Sequence, residues 1–166
     1  TSFLFGSAQA AFDVNLTVDG SSVVDVGQFR GITVSYSWSS LPDPLTNAKI
    51  VIDLPAELDA DSITDVLLSG SADVTSSVYD PVTRKVTYNF VDPLPSGSSG
   101  SVQFFVLFPD NAADGTLAAI NATSSGTGQP DGSGSATLEA NSPAATTITL
   151  AAIAGSTVGT AYNSSA

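Results

Sequence analysis

The chain has 166 residues, of which 42% are hydrophobic and 8% aromatic, and its formal net charge is −12 at pH 7. This size and apolar content suit one domain with a two-layer core. Sixteen acidic residues against four basic ones argue against nucleic acid or anionic membrane as a partner, because such a surface repels phosphate groups. Cys, Met and His are absent, which excludes disulfides, thiolate or imidazole metal sites and His-dependent catalysis.

The same composition favours an extracellular location at the cell surface. A chain without Cys or Met has few groups that an oxidising environment can damage. No apolar run approaches the roughly 18 residues that a membrane helix requires, so we expect no membrane insertion.

Apolar and polar residues alternate with a period of two in many short runs, starting with Phe12, Val14, Leu16 and Val18. This period is typical of strands that bury one face. Similar runs predict strands at residues 23–26, 31–38, 48–54, 63–68, 73–79, 85–90, 102–108, 116–122, 135–140 and 146–152. The run at 102–108 is apolar on both faces, which predicts a central strand or one whose outer face meets a partner. The sequence therefore predicts an all-β, immunoglobulin-like β-sandwich of about 8–10 short strands.

The predicted domain organisation has three parts. Residues 1–11 form an N-terminal extension, residues 12–152 the β-sandwich and residues 153–166 a C-terminal tail. Ala8-Gln9-Ala10 has the small-x-small pattern of a signal-peptide cleavage site, but no basic region precedes it. We interpret residues 1–11 as a strand available for exchange between subunits.

Several consecutive motifs carry a family resemblance. Residues 32–38 read ITVSYSW and residues 44–56 read PLTNAKIVIDLPA. They are followed by YDPVTRKVTY at residues 79–88 and by the loop and strand LPSGSSGSVQF at residues 94–104. This series resembles the DUF11-type repeat of bacterial and archaeal surface proteins over about residues 30–108. The resemblance implies an immunoglobulin-like module of a secreted adhesin, stalk, sheath or filament, although the family usually occurs in tandem arrays.

One loop has the composition of a calcium site. Asp110, Asn111 and Asp114 place carboxylate and amide oxygens within five residues, and calcium prefers such ligands. The alternative is a solvated turn in which Gly115 supplies a positive φ. Asp59, Asp61 and Asp65 form a second acidic cluster with the same two interpretations. No other cofactor is predicted.

Three asparagines occur in the N-glycosylation pattern: Asn15, Asn121 and Asn163. Alternation places Asn15 on the outward face of its strand. We therefore predict that glycans can be attached at these positions in a secreted chain.

Two covalent or catalytic roles are disfavoured. Lys49 is the candidate for an intramolecular isopeptide bond, but alternation directs it toward solvent. Glycoside hydrolysis needs two acids in an aromatic-lined cleft, and Glu57 and Glu139 lie in loop or edge contexts. Trp38 is predicted to be a core residue. The chain is therefore predicted not to be an enzyme.

The leading hypothesis is a structural subunit or module of a cell-surface assembly, whose partners are copies of itself or other surface proteins. In this hypothesis Phe3, Leu4 and Phe5 fill a groove in the next subunit. The alternative is an adhesin module that binds a glycan or protein through the loops at residues 39–46 and 124–135. A virion decoration or fibre domain has the same composition.

Overall fold

A computed structural model describes residues 12–40, 43–59 and 71–144. Those residues form nine strands: β1 (Phe12–Val18), β2 (Val23–Asp25), β3 (Arg30–Trp38), β4 (Lys49–Asp53), β5 (Val74–Asp80), β6 (Lys85–Phe90), β7 (Ser99–Val106), β8 (Leu117–Ser125) and β9 (Gly132–Asn141). One sheet has the order β1-β3-β7 and the other the order β2-β9-β8-β4-β6-β5. The predicted all-β, immunoglobulin-like sandwich is confirmed. The strands predicted at residues 63–68 and 146–152 lie outside the described residues.

The core lies between the two sheets and is built by alternation along each strand. β1 buries Phe12, Val14 and Leu16 and exposes Asp13 and Asn15. The largest fully buried side chains are Trp38, Tyr88, Phe12, Phe104, Phe108, Ile32, Leu45, Ile50, Ile52, Leu58 and Leu94. Burial of this apolar surface is the main favourable contribution to folding.

Trp38 occupies the core as predicted, with 1% of its surface exposed. Its indole Nε1 donates a hydrogen bond to the Asp43 carbonyl oxygen over 2.9 Å. Three further rings, those of Phe12, Tyr36 and Phe90, pack edge to face with centroids 4.7 to 6.2 Å apart. This geometry is favourable because the ring edge carries positive and the ring face negative partial charge.

The chain passes from the smaller to the larger sheet directly after β1. Gly20 takes a φ of 86°, which is left-handed and suits glycine. Asp19 donates its N–H to the Gly31 carbonyl at 3.0 Å, and its carboxylate accepts hydrogen bonds from Thr33 Oγ1 at 2.8 Å and from Gln103 Nε2. Asp19 therefore ties the crossing point to β3 and β7.

Two glycines allow β1 to approach β9 closely. A Cβ on Gly132 would collide with the Phe12 carbonyl oxygen, and one on Gly134 would lie 2.8 Å from the Val14 carbonyl oxygen. The Ser124 hydroxyl of β8 donates to the same Phe12 carbonyl. Residue numbers rise together along the two strands, so β1 runs in the direction of β9. β2 continues in that direction, pairing parallel with β9 from Val23↔Glu139 to Asp25↔Asn141.

β7 is not a central strand among the described residues, whereas the alternative, an outer face that meets a partner, stays a prediction. In the described residues it lies at the end of the order β1-β3-β7, with no second strand beside it. Its outer face carries Gln103 and the half-buried Phe105, and Gln103 is used to hold Asp19. The apolar pattern at residues 102–108 thus reflects in part Phe108, which is fully buried beyond the end of the strand.

The substitution Gly132→Val tests the close approach of β1 to β9. We expect it to lower the free energy of unfolding by about 1–3 kcal/mol, because the new side chain must displace backbone atoms of β1. Ser133→Val adds a similar side chain on the exposed face of the same strand and should change stability by less than about 0.5 kcal/mol. Urea titration provides the measurement, and equal effects of the two substitutions would contradict this packing.

The buried hydroxyl of Tyr88 gives a second test. Tyr88 is fully buried on β6, and its Oη has no hydrogen-bond partner among the described residues. Burial raises the pKa of Tyr88 well above its ordinary value of 10.0, because the phenolate would be desolvated. The folded state therefore favours the neutral phenol, and this contribution is present below pH about 10 and is lost as the pH rises further.

We expect Tyr88→Phe to raise the free energy of unfolding at pH 7 by about 1 kcal/mol and to reduce its decline above pH about 10. Tyr36→Phe is the matched control, since the Tyr36 hydroxyl is hydrogen-bonded to Ser71 and, over 3.1 Å, to Asp73. That substitution should destabilise the protein. Denaturant titrations at several pH values between about 7 and 12 distinguish the two, and destabilisation by both would refute the unpaired state of Tyr88.

Candidate functional site

The predicted calcium residues Asp110, Asn111 and Asp114 lie exposed in the connection between β7 and β8. The structure gives the two carboxylates different neighbours. Asp114 Oδ1 accepts a hydrogen bond from the backbone N of Ser142 at 3.0 Å, whereas the Asp110 carboxylate faces Gly27 in the turn after β2. Within the described part of the chain, no group of three or more His, Cys, Asp or Glu side chains could hold a metal ion. Calcium at this loop stays a prediction.

The second acidic cluster is only partly described. Asp59 donates its backbone N–H to the Leu107 carbonyl at 2.9 Å, which places it beside the end of β7. Asp61 and Asp65 lie outside the described residues. The intersubunit candidates Phe3, Leu4 and Phe5 also lie outside them, as does Asn163.

Asn15 and Asn121 are exposed on β1 and β8. The Asn15 Nδ2 group donates a hydrogen bond to Thr17 Oγ1 over 3.4 Å, so the two polar residues of this glycosylation pattern lie side by side. Asn121 lies between Asp53 and Ser135 on the outer face of the six-stranded sheet. Both side chains lie at the surface, and glycosylation stays a prediction.

Lys49 is exposed on β4, as alternation predicts. Lys85 pairs with Asp53, whereas no carboxylate of the described residues lies within 4.0 Å of the Lys49 ammonium. An isopeptide bond needs a buried lysine beside its partner, and Lys49 does not meet this condition.

The large apolar side chains that the described structure exposes lie toward opposite sides of the six-stranded sheet. Val78 on β5 and Val82 in the following turn are 56% and 89% exposed, and together they form what we call the β5 patch. On the other side, Val23 and Leu117 lie in register with Glu139 on its two sides, and we call these two apolar side chains, with the exposed Glu139 between them, the β2 patch. Phe29, which follows β2, is 59% exposed. Among the strands that the structure describes, β2 and β5 are the first and last of this sheet.

Hydrogen bonds within the β5–β6 turn fix the position of Val82. Asp80 accepts hydrogen bonds from the Val82 N–H at 2.9 Å and from Thr83 Oγ1 at 2.7 Å. The Thr83 hydroxyl, followed by the Val82 N–H, lowers the pKa of the exposed Asp80 carboxyl below its ordinary value. The turn is therefore favoured at pH values above the ordinary pKa of Asp and weakens as the carboxyl is protonated.

Arg84 anchors the same turn to the loop after β4. Its φ of 55° is left-handed, and its guanidinium donates to the carbonyl oxygens of Pro55 and Leu58 at 2.6 Å each. The Leu54 N–H donates to the Arg84 carbonyl at 3.0 Å. The β5 patch thus projects from a turn that is held on two sides.

An open cavity of about 510 Å³ lies at one end of the six-stranded sheet. We call it the end cavity. Three connections meet there, namely the start of β4, the residues after β6 and the turn after β8. The residues that line it are Asn47, Ala48, Lys49, Asn89, Phe90, Asp92, Ser125, Gly126 and Thr127.

Sequence analysis did not identify either the apolar patches or the end cavity. Val74 and Val78 are four residues apart, and this spacing predicts that their side chains lie on the same face of the strand. A β-bulge between Val74 and Ser76 shifts the register, so that Val74 is buried and Val78 is exposed. The end cavity includes Ser125, Gly126 and Thr127 from the loop at residues 124–135 of the adhesin hypothesis, but none of its lining residues comes from the loop at residues 39–46. Lys49 lines the cavity, although the sequence suggests for it only a crosslinking role.

The described residues contain no helix with the length and apolar character needed to cross a membrane.

Comparison with solved structures supports the fold. The chain is similar to BcpA, the major pilin subunit of Bacillus cereus, with a TM-score of 0.55 and 9% identity over 79% of this chain and 40% of that one. It is also similar to the 35 kDa C-terminal fragment of GBS80, the major pilin of Streptococcus agalactiae, with a TM-score of 0.53 and 7% identity over 80% and 56% of the two chains. At this identity the likeness establishes the immunoglobulin-like fold alone.

No family model matches the chain, and no curated protein sequence matches it. The DUF11-type resemblance of residues 30–108 therefore stays a prediction.

Calcium binding at Asp110, Asn111 and Asp114 predicts that added calcium raises the melting temperature and that a chelator reverses the change. Asp114→Asn should abolish this response, because one anionic ligand is lost while an amide oxygen can still accept from Ser142. Thermal melting followed by circular dichroism provides the measurement. Identical melting curves with calcium and with chelator would eliminate the site.

Proposed function

We propose that the chain is a non-catalytic structural subunit or module of an extracellular cell-surface assembly such as a filament, stalk or sheath. The observation that carries this proposal is the presence of exposed apolar patches toward opposite edges of one sheet. Such a module can contact one neighbour on each side. The DUF11-type resemblance and the two structurally similar pilins support the same class of protein.

The two patches are large enough to contribute to association. Val82 and Leu117 are 89% and 60% exposed, and full burial of a side chain of this kind gains about 1.5–3 kcal/mol. The patches differ from each other, so contact between the β5 patch of one copy and the β2 patch of the next is head to tail. Such a contact leaves a free patch at each end and extends into a chain of subunits.

The β5 edge also offers backbone groups for pairing. In the described residues β5 pairs only with β6, which leaves its other side open to an added strand. At each end of β7, another segment of the same chain lies beside the strand. Asp59 bonds to Leu107 at one end, and Ser71 lies against Gly100 at the other.

Residues 1–11 supply a second way to join subunits. With Phe3, Leu4 and Phe5, this segment is proposed to add as a strand to the β5 edge of a neighbouring copy, where Val78 and Val82 offer apolar contacts. Direct contact between patches and strand exchange both use the β5 edge. They differ in whether Leu117 or residues 1–11 are required.

Catalysis is not part of the proposed function. The two glutamates of the sequence, Glu57 and Glu139, are exposed and lie in separate elements, a turn after β4 and strand β9. Without histidine or cysteine, acid–base or nucleophilic chemistry would need carboxylates placed together in a cleft. Neither glutamate lines the end cavity.

Charge substitutions in the two patches test the assembly. We expect the wild-type chain to form filaments and Val78→Lys and Leu117→Lys each to remain monomeric, because a buried lysine opposes association. An equimolar mixture of the two variants should form dimers, since each retains one intact patch. Negative-stain electron microscopy and sedimentation velocity give the readouts, with Ser135→Lys on the same face as the control that still assembles.

The outcomes separate the two versions of the proposal. If a variant lacking residues 1–11 assembles normally and Leu117→Lys does not, contact between patches joins the subunits. The reverse result assigns the contact to strand exchange. Monomeric wild-type protein at high concentration, or unimpaired assembly of Val78→Lys, would overturn the proposal.

A further inference from the structure

The geometry of the end cavity points to a binding site for a carboxylated saccharide, such as a hexuronic acid. The inference does not rest on subunit assembly, because the nine described residues that line the cavity belong to a single chain. In the described structure, hydrogen bonds hold the walls in place, Lys49 has no carboxylate partner, and most of the other exposed lining groups are polar.

The walls of the cavity are held by hydrogen bonds between its three connections. Asn47 takes a left-handed φ of 54°, which is uncommon for a residue other than glycine. Its backbone N–H donates to Asp92 Oδ1 at 3.2 Å and its Nδ2 donates to Thr127 Oγ1 at 2.8 Å. The Thr127 N–H donates in turn to the Thr46 carbonyl at 2.9 Å. Because these contacts join the three connections to one another, binding needs little ordering of the loops.

Gly126 lets the turn after β8 close over the core at this point. A Cβ on Gly126 would lie 2.5 Å from the Cδ1 atom of Leu45, which is itself buried. Leu45 pairs with Leu94 through backbone hydrogen bonds of 2.8 and 2.7 Å. Residues 125–127 therefore pack against a buried part of the core, which fixes their position relative to Asn47.

Two charged residues line the cavity, the cationic Lys49 and the anionic Asp92, and among the described residues the Lys49 ammonium has no carboxylate within salt-bridge distance. Lys49 on β4 lies in register with Asn89 on β6 and with Ser125 on β8, so the three side chains stand next to one another on the outer face. In the described structure Lys49 has no carboxylate partner, whereas Lys85 on the same face is paired with Asp53. In a chain with four basic residues and a net charge of −12, an unpaired lysine in a cavity is suited to a ligand carboxylate.

The other lining groups favour hydroxyl groups over an apolar ligand. Asn89 uses its Nδ2 group to donate to Ser76 Oγ at 3.1 Å, which leaves its Oδ1 atom to accept a hydrogen bond. Ser125 and Thr127 add hydroxyl groups. The apolar lining residues Ala48 and Phe90 are only 5% and 6% exposed, so they offer no pocket for an anchoring side chain and no aromatic face. This pattern fits a polyol that also carries a carboxylate better than it fits a peptide.

The experiment is a saturation-transfer difference NMR titration of the full chain with D-glucuronate, which works for both monomers and assemblies. We expect saturable transfer with a dissociation constant of roughly 1 mM, and at least tenfold weaker transfer with D-glucose. Lys49→Gln should weaken glucuronate binding at least tenfold, because it replaces the cation by a neutral amide on a slightly shorter side chain. Lys85→Gln is the matched control and should bind as the wild type does.

Three results would overturn the inference. Absence of transfer at about 20 mM glucuronate, or equal transfer in the wild type and Lys49→Gln, would exclude the end cavity as the site. Equal transfer with glucose would remove the role of the carboxylate. Competition by the acidic dipeptide Asp-Asp or by acetate at the same concentration as glucuronate would show that a carboxylate alone suffices and would exclude saccharide recognition.

Discussion

The contact between β1 and β9 is the constraint on which the rest of the structure depends. Gly132 and Gly134 admit the carbonyl oxygens of β1 at a distance that no side chain would allow, and Ser124 adds a hydrogen bond to the Phe12 carbonyl. The two sheets come into direct contact there, and farther along β9 Leu138 and Ala140 are buried in the core. The Asp19 contacts fix where the chain leaves the smaller sheet.

This arrangement determines which surfaces remain free. β1 and β2 follow β9, so the side of the six-stranded sheet at β2 is short and bears the β2 patch. The opposite side ends at β5, whose turn is held by Asp80 and Arg84. The end cavity forms where β4 begins and β6 and β8 end. A surface for neighbours and a polar cavity can therefore coexist on one sheet, because they occupy its sides and its end.

Much of the fold is readable from the sequence because alternation is a local signal. β1 and β6 have the predicted bounds, and β3 differs by one residue. β7 and β9 begin earlier than predicted, at Ser99 and Gly132, because serine and glycine carry no apolar pattern. The exposed position of Val78 depends on a bulge that the sequence does not mark. The end cavity was not predictable, since Asn47, Asp92 and Thr127 are brought together by the strand order β8-β4-β6 and not by proximity along the chain.

The parallel pairing of β2 with β9 has a mechanical consequence. Tension that pulls β2 toward its N-terminal end and β9 toward its C-terminal end acts along the two strands in opposite senses. The hydrogen bonds between them are then loaded in shear and must break together, whereas an antiparallel terminal pair would peel apart one bond at a time. Forced unfolding is governed by the height of this barrier more than by equilibrium stability. Tension applied to β2 and β9 in this way therefore meets the resistance of all the hydrogen bonds between them at once.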